Sequence, residues 1–160
     1  METLRFNNSK GKQISVSDVV EEIRCYIDEK PDFRYKVIIG TDSRALGELS
    51  ADFVTAIVVH RVGNGGKYFW RHNSAQKVFN LRDRIIKEVL MSLDVASDTI
   101  RILKDANVPD FDFEVHVDVG ANGKTSALIS EVTGMVRAHN FVFKTKPESY
   151  AASSVADKHV

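Results

Sequence analysis

An α/β protein with a five-stranded mixed sheet and helices packed on it is the fold class that the 160-residue sequence predicts. Apolar runs rich in valine, isoleucine and phenylalanine alternate with segments whose apolar residues recur at the spacing of one helix face. A glycine-rich connection joins the second and third of these runs, whereas helical segments separate the later ones. Tight turns make neighbouring strands antiparallel and helical crossovers make them parallel. We therefore expect three antiparallel strands, followed by strands parallel to the first.

Residues 1–34 are predicted to be an N-terminal extension with one helix, within a single domain of residues 1–160. Ser17 can cap this helix, apolar residues recur at helical spacing up to Ile27, and Pro31 ends it. The extension then leads into the first strand.

The first strand begins at Tyr35, where the sequence YKVIIG lacks the apolar/polar alternation of a half-exposed strand and therefore suits burial on both faces. Two further strands, over residues 53–60 and 67–72, are joined by the sequence GNGG, whose residues tolerate the positive φ angles of a hairpin turn. A helical period from about Val78 towards Leu103 then predicts the longest helix of the chain.

The C-terminal third of the chain is predicted to alternate between strands and helices. Pro109 breaks the long helix, a strand follows over residues 113–119, and a helix follows over residues 125–139. A short strand at 141–144 and a last helix after Pro147 complete the order. The order of the strands within the sheet does not follow from this periodicity.

Composition and charge argue against several classes of protein. The 22 basic residues balance the 22 acidic ones, so the net charge does not indicate a strongly basic nucleic-acid-binding domain. The N-terminus has no apolar run typical of a secretion signal, and no apolar stretch approaches the roughly 20 residues of a membrane span. The single cysteine, Cys25, rules out a disulfide within the chain and suits a reducing compartment. We therefore expect a cytoplasmic protein that does not bind membranes.

Two of the predicted strands run into an aspartate at or near their carboxyl ends, Asp42 and Asp118. Asp42 followed by Ser43 has an ordinary explanation, because both residue types form turns. Asp42 also lies where open α/β sheets bind their ligands, just outside the carboxyl end of a strand. If the two strands are parallel neighbours, about 4.8 Å apart, both carboxylates can reach one ion. Ligands that are all oxygen atoms favour Mg²⁺ or Mn²⁺ over zinc.

Two more carboxylates are candidates for the same metal site. Glu88 lies midway along the long helix, although Asp83 lies on that helix too and the choice between them stays open. Asp157 lies in the last helix, four residues after Ser153 on the same face. Four acids from four elements are compatible with a catalytic site of two metal ions, which stabilise the attacking water and the leaving oxygen of a phosphodiester.

Six side chains near these acids are candidates for substrate binding: Ser43, His116, Lys124, Lys146, Ser153 and Lys158. His116 points to the same side of its strand as Asp118, so it contacts substrate, shuttles a proton or is a hydrogen-bonded structural histidine. The lysines can hold phosphate or can be ordinary surface residues. The loop GANGKTS is similar to a phosphate-binding P-loop but lacks its first glycine, because Asp118 occupies that position. Its backbone amides can still receive one phosphate group.

Four segments, GTDSR, RDRIIKEVLMSLDVA, HVDVGANGKTSALISEVTGMV and KPESYAASSVADKH, resemble the ribonuclease H-like YkuK family of bacteria. The resemblance implies a ribonuclease H-like fold and a nuclease that hydrolyses RNA or DNA with two Mg²⁺ or Mn²⁺ ions. It also implies that Asp42 bridges both ions, that Glu88 and Asp118 complete one, and that Asp157 completes the other. Two alternatives stay open, because one fold hosts many functions. They are a non-catalytic module that binds nucleic acid or protein, and an enzyme that acts on a small phosphate-containing molecule.

Overall fold

A seven-stranded mixed sheet forms the centre of the computed structural model, which describes residues 4–120 and 123–160 and, at residues 152 and 153, the backbone alone. In chain order the strands and α-helices are β1 (Arg5–Asn7), β2 (Gln13–Ser15), α1 (Val16–Glu29), β3 (Tyr35–Ala45), β4 (Ser50–Arg61), β5 (Gly66–Lys77), α2 (Leu81–Asp105), β6 (Asp112–His116), α3 (Ile129–Ala138) and β7 (Val142–Lys144). A 3₁₀ turn (Ser126–Leu128) precedes α3, and the chain ends in a π-helical turn (Ala151–Val155) and a 3₁₀ turn (Ala156–His159). Within the described residues, no helix is both long and apolar enough to cross a membrane.

The strand order in the sheet is β2-β1-β5-β4-β3-β6-β7. β3, β4 and β5 are antiparallel neighbours, whereas β6 runs parallel to β3 and β7 runs parallel to β6. These directions confirm the predicted α/β fold with a mixed sheet. The predicted number of five strands is wrong, because β1 and β2 extend the sheet beyond β5.

The two additional strands lie in residues 1–34, the region predicted to contain one helix and no strand. Each strand has three residues, which is too short to show the period of two that a sequence pattern can reveal. Phe6 of β1 is nevertheless fully buried, and Asn7 pairs with Trp70 of β5. The N-terminal region is therefore built into the central sheet.

Helix α1 begins two residues earlier than predicted, because its N-cap is Ser15 and not Ser17. The Ser15 hydroxyl accepts a hydrogen bond from the Asp18 amide at 3.2 Å, and the Asp18 carboxylate accepts one from the Ser15 amide at 3.2 Å. This reciprocal capping box needs a hydrogen-bonding side chain three residues after the cap. Ser15 has Asp18 at that position, whereas Ser17 has the apolar Val20.

Replacing Ser15 by alanine is expected to lower the free energy of unfolding by about 1 kcal/mol, because the Asp18 amide loses its acceptor. Ser17→Ala is the matched control, since Ser17 is exposed in the first turn of the same helix, and it should change stability by less than about 0.5 kcal/mol. Urea denaturation of both variants measures the difference. Equal losses in the two variants would contradict the assignment of the cap.

The two faces of the sheet are covered by different parts of the chain. The three α-helices pack over the main apolar core, to which β3 contributes Val37. The opposite face is covered by the C-terminal segment, residues 150–160, where Ile38 of β3 packs against Ala151. Successive side chains of β3 therefore alternate between the helices and the C-terminal segment.

Two strands end at different points from those predicted, and these ends determine where the acids lie. β3 does not stop before Asp42 but continues to Ala45, because β4 stays paired with it along its whole length. β6 ends at His116, three residues earlier than predicted. Gly40 and His116 form the last pair between the two parallel strands. Asp42 and Asp118 each follow this pair by two residues, so the register brings the two acids to neighbouring positions.

Candidate active site

Asp42 lies inside β3 and is only 9% exposed. It shares a face of the strand with Ile38, which packs on the C-terminal segment. The carboxyl group of Asp42 forms a hydrogen bond with the carboxyl group of Asp157, and Asp118 is close enough to interact with it electrostatically. Three of the acids singled out from the sequence thus meet around Asp42.

Glu88 approaches the same region from α2, which packs against β3. The Ser43 hydroxyl donates a hydrogen bond to Oε1 of Glu88, and the hydroxyl groups of Thr41 and Ser92 link strand and helix at 2.7 Å. Glu88 is 4% exposed, and its Oε2 atom has no hydrogen-bond partner in the described part of the chain. Glu88 and Asp118 line one small cavity. The helix therefore directs a buried carboxyl group towards the strand acids.

Asp83, the alternative acid on α2, interacts with the start of the helix instead. Its carboxylate accepts a hydrogen bond from the Phe79 amide at 3.0 Å and pairs with the Lys87 ammonium at 2.8 Å. The hydrogen bond from Lys87 lowers the pKa of Asp83 below its ordinary value. The geometry thus favours Glu88 over Asp83 as the helix acid of the cluster.

The surroundings of Asp42 and Glu88 raise the pKa of both carboxyl groups. Burial, followed by the hydrogen bond with Asp157 and the charge of Asp118, raises the pKa of Asp42 to about 7. Burial also raises the pKa of Glu88 to about 8, although the hydrogen bond from Ser43 favours the ionised form. The charges of Asp42 and Asp118 add to this increase. A divalent cation would reverse both shifts, because it favours ionised carboxylates.

The chemistry of these four side chains fits a hard divalent cation. All four offer carboxylate oxygens, which Mg²⁺ and Mn²⁺ prefer, and Oε2 of Glu88 is a buried acceptor without a hydrogen-bond partner among the described residues. In this conformation, across residues 4–120 and 123–160, no three His, Cys, Asp or Glu side chains are arranged to hold a metal ion. The cluster therefore contains suitable ligands, which would have to turn to close around an ion.

Two of the predicted substrate-binding residues contact the acids directly. Ser43 donates to Glu88, and Nζ of Lys146 lies 3.3 Å from Oδ1 of Asp118. The lysine side chain is 51% exposed, against 21% for the aspartate. Lys146 therefore offsets the charge of Asp118 and is also accessible to a phosphate group.

Other predicted substrate-binding residues lie on the surface or outside the described residues. Lys124 follows β6 and Lys158 lies in the final 3₁₀ turn, both with exposed side chains. The side chain of Ser153 is outside the described residues, as are residues 121–122 of the GANGKTS loop. Phosphate binding by that loop stays a prediction.

His116 is fully enclosed, and both of its ring nitrogens have partners. Nδ1 accepts a hydrogen bond from the Ala151 amide at 3.2 Å, so the proton of the neutral ring lies on Nε2, 3.2 Å from Oε1 of Glu114. Burial lowers the pKa of His116, although the hydrogen bond to Glu114 opposes this effect. These contacts favour the structural alternative for His116 over contact with substrate.

Two further candidates, Arg44 and His72, were not predicted from the sequence. Arg44 lies on the same face of β3 as Asp42, and its guanidinium is 3.7 Å from Oδ2 of Asp52 on β4. Nε2 of His72 on β5 lies 3.7 Å from the same oxygen. The side chains of Arg44 and His72 are 61% and 46% exposed, so both are accessible to a phosphate group. Arg44 could have been predicted, because residues two apart on a strand share a face and Arg44 is two residues after Asp42. The position of His72 could not, because it depends on how β5 pairs with β4.

The mixed sheet and the helices packed on it define an α/β protein. The chain matches the family model described as Ribonuclease H-like over residues 18–160, and it belongs to that family. It is also 31% identical over 167 aligned residues to the protein named "Uncharacterized protein YkuK" of Bacillus subtilis (strain 168). This alignment covers 96% of the chain and 95% of the relative. The resemblance to the ribonuclease H-like YkuK family is therefore confirmed.

Proposed function

We propose that this protein is a metal-dependent nuclease that hydrolyses phosphodiester bonds of RNA or DNA with Mg²⁺ or Mn²⁺. The observation that carries the proposal is the meeting of four carboxyl groups from β3, α2, the segment after β6 and the C-terminal segment. Such a cluster is unfavourable in its ionised form unless a cation accompanies it. Membership of the ribonuclease H-like family supports a nucleic acid as the substrate.

Asp42, Glu88, Asp118 and Asp157 would hold the ions. Asp42 is the best candidate for a shared ligand, because it lies near all three of the other acids. When bound, the ions would activate a water molecule and stabilise the leaving oxygen of the phosphodiester. The carboxylates themselves would serve as ligands and not as proton donors.

Other side chains around the acids would orient the ligands and the substrate. The Ser43 hydroxyl fixes the direction of the Glu88 carboxylate through its hydrogen bond. Lys146 would exchange its ion pair with Asp118 for a substrate phosphate when Asp118 binds metal. Arg44 lies one strand repeat beyond Asp42 on the same face, where it would bind the phosphate next to the cleaved bond.

Cleavage of labelled single-stranded, duplex and hybrid RNA and DNA, in Mg²⁺, Mn²⁺ or chelator, tests this proposal. We expect at least one of these substrates to be cut in the presence of a divalent ion and none to be cut in chelator. The preferred substrate would then decide between RNA and DNA.

Asp118→Asn, purified by the same steps, is the control for contaminating nucleases. The variant keeps the shape of the side chain but weakens its affinity for a cation, so it should remain inactive on every substrate. Equal cutting by the wild type and the variant, or no cutting by either, would remove support for a nuclease. The binding-module and small-molecule alternatives would then be tested next.

A further inference from the structure

Asp157 is carried by short helical turns at the end of the chain. A π-helical turn and a 3₁₀ turn follow each other there, and together they are shorter than a helix that is stable alone. Their conformation must therefore depend on contacts with the sheet. The C-terminal segment has such contacts on both sides of Asp157.

The residues that precede Asp157 make both apolar and polar contacts with the sheet. The Ala151 amide donates a hydrogen bond to Nδ1 of His116 at 3.2 Å, and the Tyr150 hydroxyl lies 3.2 Å from Nδ1 of His60. The rings of Tyr150 and His116 also meet edge to face, with 4.7 Å between their centroids. These contacts fix the beginning of the segment on β4 and β6.

After Asp157, the side chain of His159 makes aromatic contacts with β5. His159 stacks on Trp70 of β5, with 4.1 Å between ring centroids and 8° between ring planes, and Tyr68 lies beside it at 5.6 Å. Nε2 of His159 is buried and has no hydrogen-bond partner in the described part of the chain. Stacking, and not a hydrogen bond at that atom, therefore holds the ring on the sheet.

We propose that Trp70 and His159 are positioning residues, which seat the C-terminal segment on the sheet and so place the carboxyl group of Asp157 at Asp42. Two carboxyl groups in contact repel each other once both are ionised, so other contacts must hold the segment in place. His159, which stacks on Trp70, is only two residues after Asp157, so this stack can hold the segment in place next to Asp157. The inference rests on the proposed function in one respect, because seating Asp157 matters for catalysis only if the acids bind metal.

Trp70 is the only tryptophan of the chain, so its fluorescence reports on the stack in the intact protein. His159→Ala removes the stack and leaves all four acids in place. We expect this variant to change the Trp70 emission and to speed amide hydrogen exchange in residues 150–160 by about two- to tenfold. We also expect Mn²⁺ affinity, measured by calorimetry without nucleic acid, to fall about tenfold, as when a residue supporting a metal ligand is lost.

Two further variants separate positioning from general damage to the fold. His159→Phe keeps an aromatic ring at this position, so it should restore both exchange protection and Mn²⁺ affinity to within about twofold of the wild type. His139→Ala removes an exposed histidine from the end of α3 and should leave emission, exchange and affinity unchanged. Unchanged exchange in His159→Ala, or unchanged Mn²⁺ affinity despite faster exchange, would overturn the inference.

The measurements also distinguish this inference from the nuclease proposal. A protein that binds Mn²⁺, loses affinity through His159→Ala and cuts no nucleic acid would refute the nuclease proposal and support the positioning role. If the wild type binds no Mn²⁺, the proposed function fails, and hydrogen exchange alone decides whether the stack seats the segment. Faster exchange in His159→Ala with protection restored in His159→Phe would then support the seating.

Discussion

Replacing Asp42 by asparagine is expected to lower metal-dependent cleavage at least about 1,000-fold, equivalent to about 4 kcal/mol of transition-state stabilisation. Asp42 lies near the three other acids, so in the proposed site its loss would remove the central ligand. Asparagine preserves the shape of the side chain. Burial raises the pKa of Asp42 to about 7, so loss of its charge should not destabilise the fold at neutral pH. The effect should therefore appear in kcat and not in the amount of folded protein.

Asp98→Asn is the matched control for this experiment. Asp98 lies on α2, is 49% exposed and pairs with Arg101 at 3.5 Å, so the same substitution there should keep the rate within about twofold of the wild type. Single-turnover cleavage at saturating Mn²⁺ measures the rate, and thermal denaturation shows whether each variant is folded. If Asp42→Asn kept more than about a tenth of the wild-type rate, the central role assigned to Asp42 would be wrong.

The directions of β3 to β7 could be predicted from the sequence, because hairpin and crossover connections leave few choices. The two N-terminal strands could not, because three residues are too few to show a period. The end of β3 was also misplaced, since an aspartate after an apolar run is typical of a turn. Only the continued pairing with β4, which is a long-range contact, keeps Asp42 inside the strand.

Some residues of the candidate site could likewise be predicted from the local sequence, whereas others depend on contacts between distant segments. Asp42 and Asp118 were singled out because an acid near a strand end is visible in the sequence. The choice between Glu88 and Asp83 depends on how α2 lies across β3, which contacts such as the Ser43–Glu88 hydrogen bond reveal. Site residues on neighbouring strands could not be predicted for a similar reason, because sequence periodicity does not give the register between strands.

Raising the pH is expected to destabilise the metal-free protein through Glu88, and Glu88→Gln should remove this effect. The ordinary pKa of this group is 4.5, and burial raises it to about 8 in the folded protein. Between these values the folded state keeps a proton that the unfolded state has lost, so stability falls as the pH rises from about 4.5 to about 8. Glutamine can accept the hydrogen bond from Ser43 but cannot ionise. The free energy of unfolding of Glu88→Gln, relative to that of the wild type, should therefore increase by about 4 kcal/mol between pH 5 and pH 9.

Urea denaturation in chelator at pH 5 and pH 9 measures how the difference in free energy of unfolding between Glu88→Gln and the wild type changes with pH. Glu21→Gln is the matched control, because Glu21 lies on α1 with a 64% exposed side chain, and its difference from the wild type should change by less than about 0.5 kcal/mol. Saturating Mn²⁺ at pH 9 should stabilise the wild type more than Glu88→Gln, since binding favours the ionised carboxylate. A difference between wild type and Glu88→Gln that is independent of pH would mean that Glu88 ionises normally. The electrostatic argument for a cation among these four acids would then lose its strongest part.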